Sequence, residues 1–79
     1  MRLRVFLSST LRAYVPDYDP LEGVELEIEG KMSIAALCRQ IKVPVDRIKL
    51  VMVNGKRQPF DYALKGGERV ALFPPVGGG

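Results

Sequence analysis

Apolar residues in this chain recur at every second position in several stretches and switch to a helical spacing in only one. That switch restricts the fold to a sheet covered by a single helix. In Arg2-Leu3-Arg4-Val5-Phe6-Leu7, one face carries Leu3, Val5 and Leu7 and the other Arg2, Arg4 and Phe6, which predicts a strand buried on one side. Val24, Leu26 and Ile28 alternate with Glu25, Glu27 and Glu29 and predict a second strand over 23–29. Ile34, Leu37, Cys38 and Ile41 then fall at i, i+3, i+4 and i+7, one stripe of a helix over Met32–Ile41. Ser33 is placed to cap its start, and Lys42 followed by Pro44 marks its end. Arg47–Val53 is read as a third strand, with Ile48, Leu50 and Met52 on one side and Lys49, Val51 and Val53 on the other. Asn54-Gly55 is a hairpin turn, because both residues tolerate positive φ. Lys56-Arg57-Gln58 forms a short return strand ended by Pro59, and Arg69–Phe73 the last strand, stopped by Pro74-Pro75. Ser8–Glu22 and Phe60–Glu68 read as irregular connections, the latter turning at Gly66-Gly67. Strand, strand, helix, strand, short strand, strand is an α+β order. The reading is a single domain over residues 1–75 with a flexible glycine tail over 76–79.

Seventy-nine residues suffice for about one small core. Hydrophobic residues at 47% and charged residues at 27% place the chain among globular sequences rather than disordered ones. With no histidine and one cysteine, the chain has no imidazole base, no internal disulfide and no cysteine-based zinc site. A small fold without disulfides fits a reducing cytoplasm, and neither a signal-peptide core nor a membrane span is evident. The net charge of +3 permits an acidic partner without demanding one.

The chain closes on Val76-Gly77-Gly78-Gly79 directly after Pro74-Pro75. A frayed end is the plain reading of such a run, since glycine loses more backbone freedom on ordering than any other residue. The alternative gives the tail a use. Its exit direction is set by the strand and the two prolines. Four extended residues reach about 13 Å, and the three glycines after Val76 form a strip without side chains that enters a narrow slot a branched residue could not. The chain offers no nucleophile–base pair of its own. Its terminal carboxylate becomes an electrophile only when a partner using ATP turns one oxygen into a leaving group.

Val53-Asn54-Gly55, Phe60-Asp61, Leu64, Gly67, Val70-Ala71 and Phe73-Pro74-Pro75-Val76, followed by Gly78-Gly79, resemble the MoaD/ThiS family of sulfur carriers, and in particular its molybdopterin synthase small subunits. The likeness is dense over the last third of the chain; before that only the order of elements agrees. It implies a ubiquitin-like β-grasp fold, a mixed sheet of four to five strands packed on one main helix. It also implies a carrier without catalytic side chains and without a bound cofactor. Gly79, preceded by Gly78, would be adenylated by a ubiquitin-activating-like adenylyltransferase of the MoeB/ThiF type that consumes ATP. A persulfide donor would then supply the sulfur of a thiocarboxylate. The acceptor would sit with a MoaE-like large subunit of molybdopterin synthase or with a thiazole synthase. Phe73-Pro74-Pro75 and the long first connection favour the molybdenum-cofactor branch. The short stretch between helix and Val53 and the Gly-Gly-Gly ending are also seen in ThiS-like chains, so the acceptor stays open.

The fold so implied sets the first and last strands side by side and parallel at the sheet centre, with the third strand beside the last. Strand parity then assigns the face away from the helix. Arg2, Arg4 and Phe6, Lys49, Val51 and Val53, and Arg69, Ala71 and Phe73 are expected there. This is an apolar patch with a basic rim, the form of a partner site, unless loops cover it. The expected partner-binding residues are Phe6, Val51, Phe73, Pro74, Pro75, Val76, Gly77, Arg4 and Arg69.

Three other features have plainer readings. Glu25, Glu27 and Glu29 form a solvated row rather than a metal site. Asp17 and Asp19 are turn formers, and Cys38 is a small buried hydrophobe. The rival from another class is a small basic nucleic-acid-binding module, since Arg2, Arg4, Lys49 and Arg69 interleave with Phe6 and Phe73. A nucleic-acid binder would tolerate loss of Gly78-Gly79. A ubiquitin-like modifier would use the same activation and differ in its acceptor. The favoured reading has neither a nucleic-acid nor a membrane partner.

Overall fold

The computed structural model describes residues 1–75. Seven strands, β1 Arg2–Leu7, β2 Val24–Glu27, β3 Met32–Ser33, β4 Leu50–Val53, β5 Lys56–Arg57, β6 Ala63–Leu64 and β7 Arg69–Phe73, accompany one α-helix, α1 Ile34–Ile41. The main sheet has the order β2-β1-β7-β4-β5. Its central pair, β1 and β7, is parallel, and every other neighbour is antiparallel. A parallel pair cannot be closed by a hairpin, and here the crossover runs from β2 through α1 to β4 before the chain reaches β7.

One face of the sheet supplies Leu3, Val5, Leu7, Val70 and Leu72 to the core, each at most 1% exposed. The helix answers with Ile34, Leu37 and Cys38. Ser33 does cap α1, its Oγ accepting from the Ala36 backbone N–H at 3.1 Å. Lys42 closes the helix in the left-handed conformation, φ +64°. The helix begins at Ile34, the first residue of its apolar stripe, two residues after the expected bound at Met32. Met32 and Ser33 are held in an antiparallel pair with Leu64 and Ala63, and the backbone cannot serve both.

Two short 3-10 turns fill stretches without sequence periodicity. The one at Ser9–Tyr14 lies inside the first connection and buries Leu11 completely. That connection is tied to the end of β1 by two side chains. The Leu7 N–H donates to the Tyr18 hydroxyl at 2.8 Å, and Arg12 Nε donates to the Leu7 carbonyl at 3.0 Å. The other 3-10 turn, Val45–Arg47, occupies the expected start of the third strand.

That second turn reverses the expected parity of β4. Val51 and Val53 are 2% and 3% exposed and belong to the core. They stand opposite Leu72 and Val70, and residues directly opposite on paired strands share a face. Leu50 and Met52 therefore point away from the helix, opposite Phe73 and Ala71. Ile48 is buried as well, but it lies in the step between the 3-10 turn and the strand, so an alternation counted from it arrives one residue out. The expectation that Val51 and Val53 line the outer face is corrected: Val51 supports the sheet from within.

Candidate functional site: the open face of the sheet

The face away from α1 is built by register. Across its middle, Phe6 of β1 stands beside Ala71 of β7, Ala71 beside Met52 of β4, and Met52 beside Arg57 of β5. One step nearer the chain's end, Phe73 stands beside Leu50. Phe6, Ala71, Met52, Leu50 and Phe73 thus form one continuous patch of half-buried apolar side chains. It ends at Pro74, half-buried, and Pro75, exposed. A recess at that end is lined by Ser8, Ser9, Lys49, Leu50, Phe73, Pro74 and Pro75.

Charge on this face is uneven. On the β1–β2 side, Arg2 and Arg4 are engaged. Arg2 Nη1 lies 3.2 Å from Glu25 Oε1 and its Nε 3.3 Å from Glu27 Oε2. Arg4 Nη1 and Nη2 donate to Glu22 Oε2 at 2.7 Å and Glu25 Oε2 at 3.0 Å. The Met1 ammonium stands 3.8 Å from Glu27. Three glutamates thus answer two guanidiniums and one ammonium. The expectation of a solvated glutamate row holds, since Glu25, Glu27 and Glu29 are all exposed, but Glu25 and Glu27 also stand in ion pairs. Arg-x-Arg on one strand and Glu-x-Glu on its neighbour is a pairing the sequence carries, but it is legible only once the two strands are known to be adjacent.

Arg69 is held differently. Its guanidinium carbon lies 4.2 Å from the centre of the Phe6 ring, a cation–π contact. The ring face on which a nucleobase would stack is therefore occupied. With Arg2 and Arg4 already neutralised, the basic-aromatic platform of a nucleic-acid binder loses most of its parts.

Of the expected partner-binding residues, Arg4, Phe6, Arg69, Phe73, Pro74 and Pro75 lie on or beside this face, while Val51 does not. Leu50 and Met52 take the outward positions instead. Val76, Gly77, Gly78 and Gly79, and with them the tail's expected flexibility and the expected adenylation site, lie outside the described residues. The remaining candidates have structural work. Asp19 Oδ1 accepts from the Leu21 and Glu22 N–H groups at 2.8 and 3.3 Å, and Asp17 sits in a left-handed turn position. Cys38 is fully buried, and that burial raises its thiol pKa from 9.0 to about 11, the reverse of what an attacking thiolate requires. No group of three or more metal-ligating side chains occurs among the described residues. No helix in that span is long and apolar enough to cross a membrane.

A five-stranded mixed sheet with a parallel central pair, one helix across its inner face and an open apolar outer face defines a small ubiquitin-like β-grasp protein. Solved structures share this fold. SAMP1, a small archaeal modifier protein from Haloferax volcanii, superposes with a TM-score of 0.72 at 22% identity over the whole of both chains. The HVO 2177 protein of the same organism gives 0.74 at 21% identity, over all of this chain and 87% of that one. A putative molybdopterin converting factor, subunit 1, from Pyrococcus furiosus gives 0.70 at 21% identity, over 96% of this chain and 99% of that one. Such identities establish the fold alone. No curated protein matches the sequence. The family is fixed by the sequence itself: residues 13–79 match the ThiS family, to which this chain belongs. It is accordingly a small ubiquitin-like protein of the sulfur-carrier or modifier type.

Proposed function

We propose that this chain is a sulfur carrier that works through the carboxylate of Gly79, and that its sulfur goes to molybdopterin synthesis. The observation that carries the reading is the reach of the family match, which runs through residue 79 and so takes in both Pro74-Pro75 and the glycines after them. In this reading the body of the protein is a handle. The activating enzyme grips the open face while the glycine strip enters its nucleotide site. The carboxylate oxygen attacks the α-phosphorus of ATP, pyrophosphate leaves, and an acyl-adenylate forms. A persulfide sulfur then attacks the carbonyl carbon and AMP leaves. A thiol reduces the resulting acyl disulfide, giving the thiocarboxylate and an ordinary disulfide. ATP belongs to the partner; the carrier contributes geometry and a carbonyl carbon.

The molybdenum branch draws support from the Phe73-Pro74-Pro75 exit, and the fold likeness to the P. furiosus protein is compatible with it. Thiazole synthesis remains the alternative acceptor within the same chemistry. A protein-modifier role is a second reading, suggested by the likeness to SAMP1. The three part at the acceptor. Thiocarboxylated protein is offered separately to a MoaE-like subunit with its pterin precursor, to a thiazole synthase, and to a lysine-bearing protein with the activating enzyme and ATP. The proposal expects loss of sulfur to the pterin alone. Sulfur transfer to the thiazole, or an isopeptide adduct of Gly79, would replace it with the corresponding alternative.

A further inference from the structure

Two 3-10 turns that are far apart in the sequence meet at the root of the tail. Ala13 and Tyr14 of the first and Asp46 and Arg47 of the second line one recess with Pro74 and Pro75. Each turn is fixed from beneath. Leu11 anchors the first, Val43 and Ile48 bracket the second, and all three belong to the core between sheet and helix. The end of β7 is held as firmly, since the Ser8 N–H donates to the Leu72 carbonyl at 3.2 Å and the Lys49 N–H to the Phe73 carbonyl at 2.8 Å. None of Phe6, Leu50, Met52 and Phe73 lines this recess, so the collar around Pro74-Pro75 is a surface apart from the open apolar face. The fold makes little use of its outer side. Tyr14 is 38% exposed, and among the described residues neither Asp46 nor Arg47 has an ion-pair partner.

We infer that this collar is the seat for the mouth of the channel in which the adenylyltransferase receives the tail, and that Tyr14, Asp46 and Arg47 set the fit. In the carrier reading, on which the inference rests, the reacting carbon belongs to Gly79, four residues beyond Pro75. Four extended residues reach about 13 Å, so the nucleotide site stands no farther than that from Pro75. A channel deep enough to take the glycines then brings its rim down onto the surface around Pro75, and on the core side that surface is the collar. The chemistry of the rim follows from the residues it meets. Tyr14 presents an aromatic body with a polar tip and fits an apolar socket. Asp46 and Arg47 are adjacent and opposite in charge, so the rim is dipolar, with a cation for the first and a carboxylate for the second. A uniformly acidic rim would be repelled by Asp46 and a uniformly basic one by Arg47, and like charges brought together cost affinity. Because the two charges cancel, the pair orients the final approach rather than drawing the partner from a distance.

The test separates the inference from the carrier reading. Acyl-adenylate formation is followed by ATP–pyrophosphate exchange with a panel of MoeB- and ThiF-like adenylyltransferases over a range of carrier concentrations. Tyr14→Ala/Arg47→Ala and the charge swap Asp46→Arg/Arg47→Asp are each made with the native tail and with two glycines inserted between Gly77 and Gly78, which add about 7 Å of reach. Thermal melts establish that each variant is folded, and Arg47→Gln replaces either one that is not. With the native tail, both are expected to lower kcat about tenfold, because a rim that seats badly holds Gly79 out of line with ATP. With the longer tail the rim can stand off, and the same substitutions should change kcat by no more than about twofold against the lengthened parent. Native-tail variants that turn over like wild type overturn the inference and leave the carrier reading standing. An equal loss at both tail lengths, or a loss in KM alone, also overturns it. Should the lengthened parent be inactive, the kcat-against-KM split at native length decides. No exchange with the wild-type chain across the panel overturns both.

Discussion

Phe73 and Cys38 show how placement decides a residue's use. Phe73 is the last residue of β7, turned away from the core and directly followed by Pro74. Its removal should leave the packing behind the sheet intact. Phe73→Ala is expected to cost about 1 kcal/mol of stability or less in a denaturant titration, the range of substitutions outside the core. The same change should weaken association with the adenylyltransferase roughly tenfold, as loss of an aromatic anchor does. A large loss of stability with unchanged binding would return Phe73 to the core. Cys38 is the opposite case. Burial disfavours the thiolate, so the folded pKa of about 11 lies above the ordinary 9.0. Because the folded state holds this proton more tightly, its contribution to stability is constant below pH 9 and is lost as pH rises toward 11. Alkylation of Cys38 at neutral pH should be slow in the native protein and rapid in denaturant. Fast native labelling would contradict its burial.

At the scale of the element, β4 carries the main lesson. Leu50-Val51-Met52-Val53 is apolar at every position, so alternation cannot say which pair faces inward; the partner strand decides. The resulting assignment is open to a paired test. Val51→Ala should cost about 1–3 kcal/mol through loss of buried methyl groups. Leu50→Ala removes more carbon and yet should cost less, because its side chain is only half-buried. The reverse order in urea midpoints would restore the original parity. By contrast, β1 and β7 could be read directly, since Arg2, Arg4 and Arg69 mark their outer faces and Pro74-Pro75 stops β7. Two elements left no local trace. The 3-10 turn at Ser9–Tyr14 exists because Leu11 finds the core, and β6 because Ala63 and Leu64 find Ser33 and Met32. Both are held by long-range contacts that no short window of sequence contains.

For the molecule as a whole, the sequence pointed to the right family and to an open apolar face on the side of the sheet away from the helix. It put the wrong pair of β4 residues on that face and overestimated how much of its basic charge was free. Arg2 and Arg4 look available in a linear reading and are engaged across the strand boundary. Ion pairs this exposed contribute little to stability, typically under about 1 kcal/mol each, so their consequence lies in the shape of the electrostatic field more than in the strength of the fold. What results is a body with one face open, followed in sequence by Gly77-Gly78-Gly79, a strip without side chains to offer to an enzyme. The central claim is that the chemistry occurs on the last carbonyl carbon of that strip. Intact mass spectrometry, after incubation with an adenylyltransferase, ATP and a persulfide donor, tests it most directly. A gain of ~16 Da, sulfur in place of oxygen, is expected on the full chain and not on a folded chain lacking Gly78-Gly79. An unchanged mass for the full chain with every adenylyltransferase tried, or the same gain on the shortened one, would contradict it.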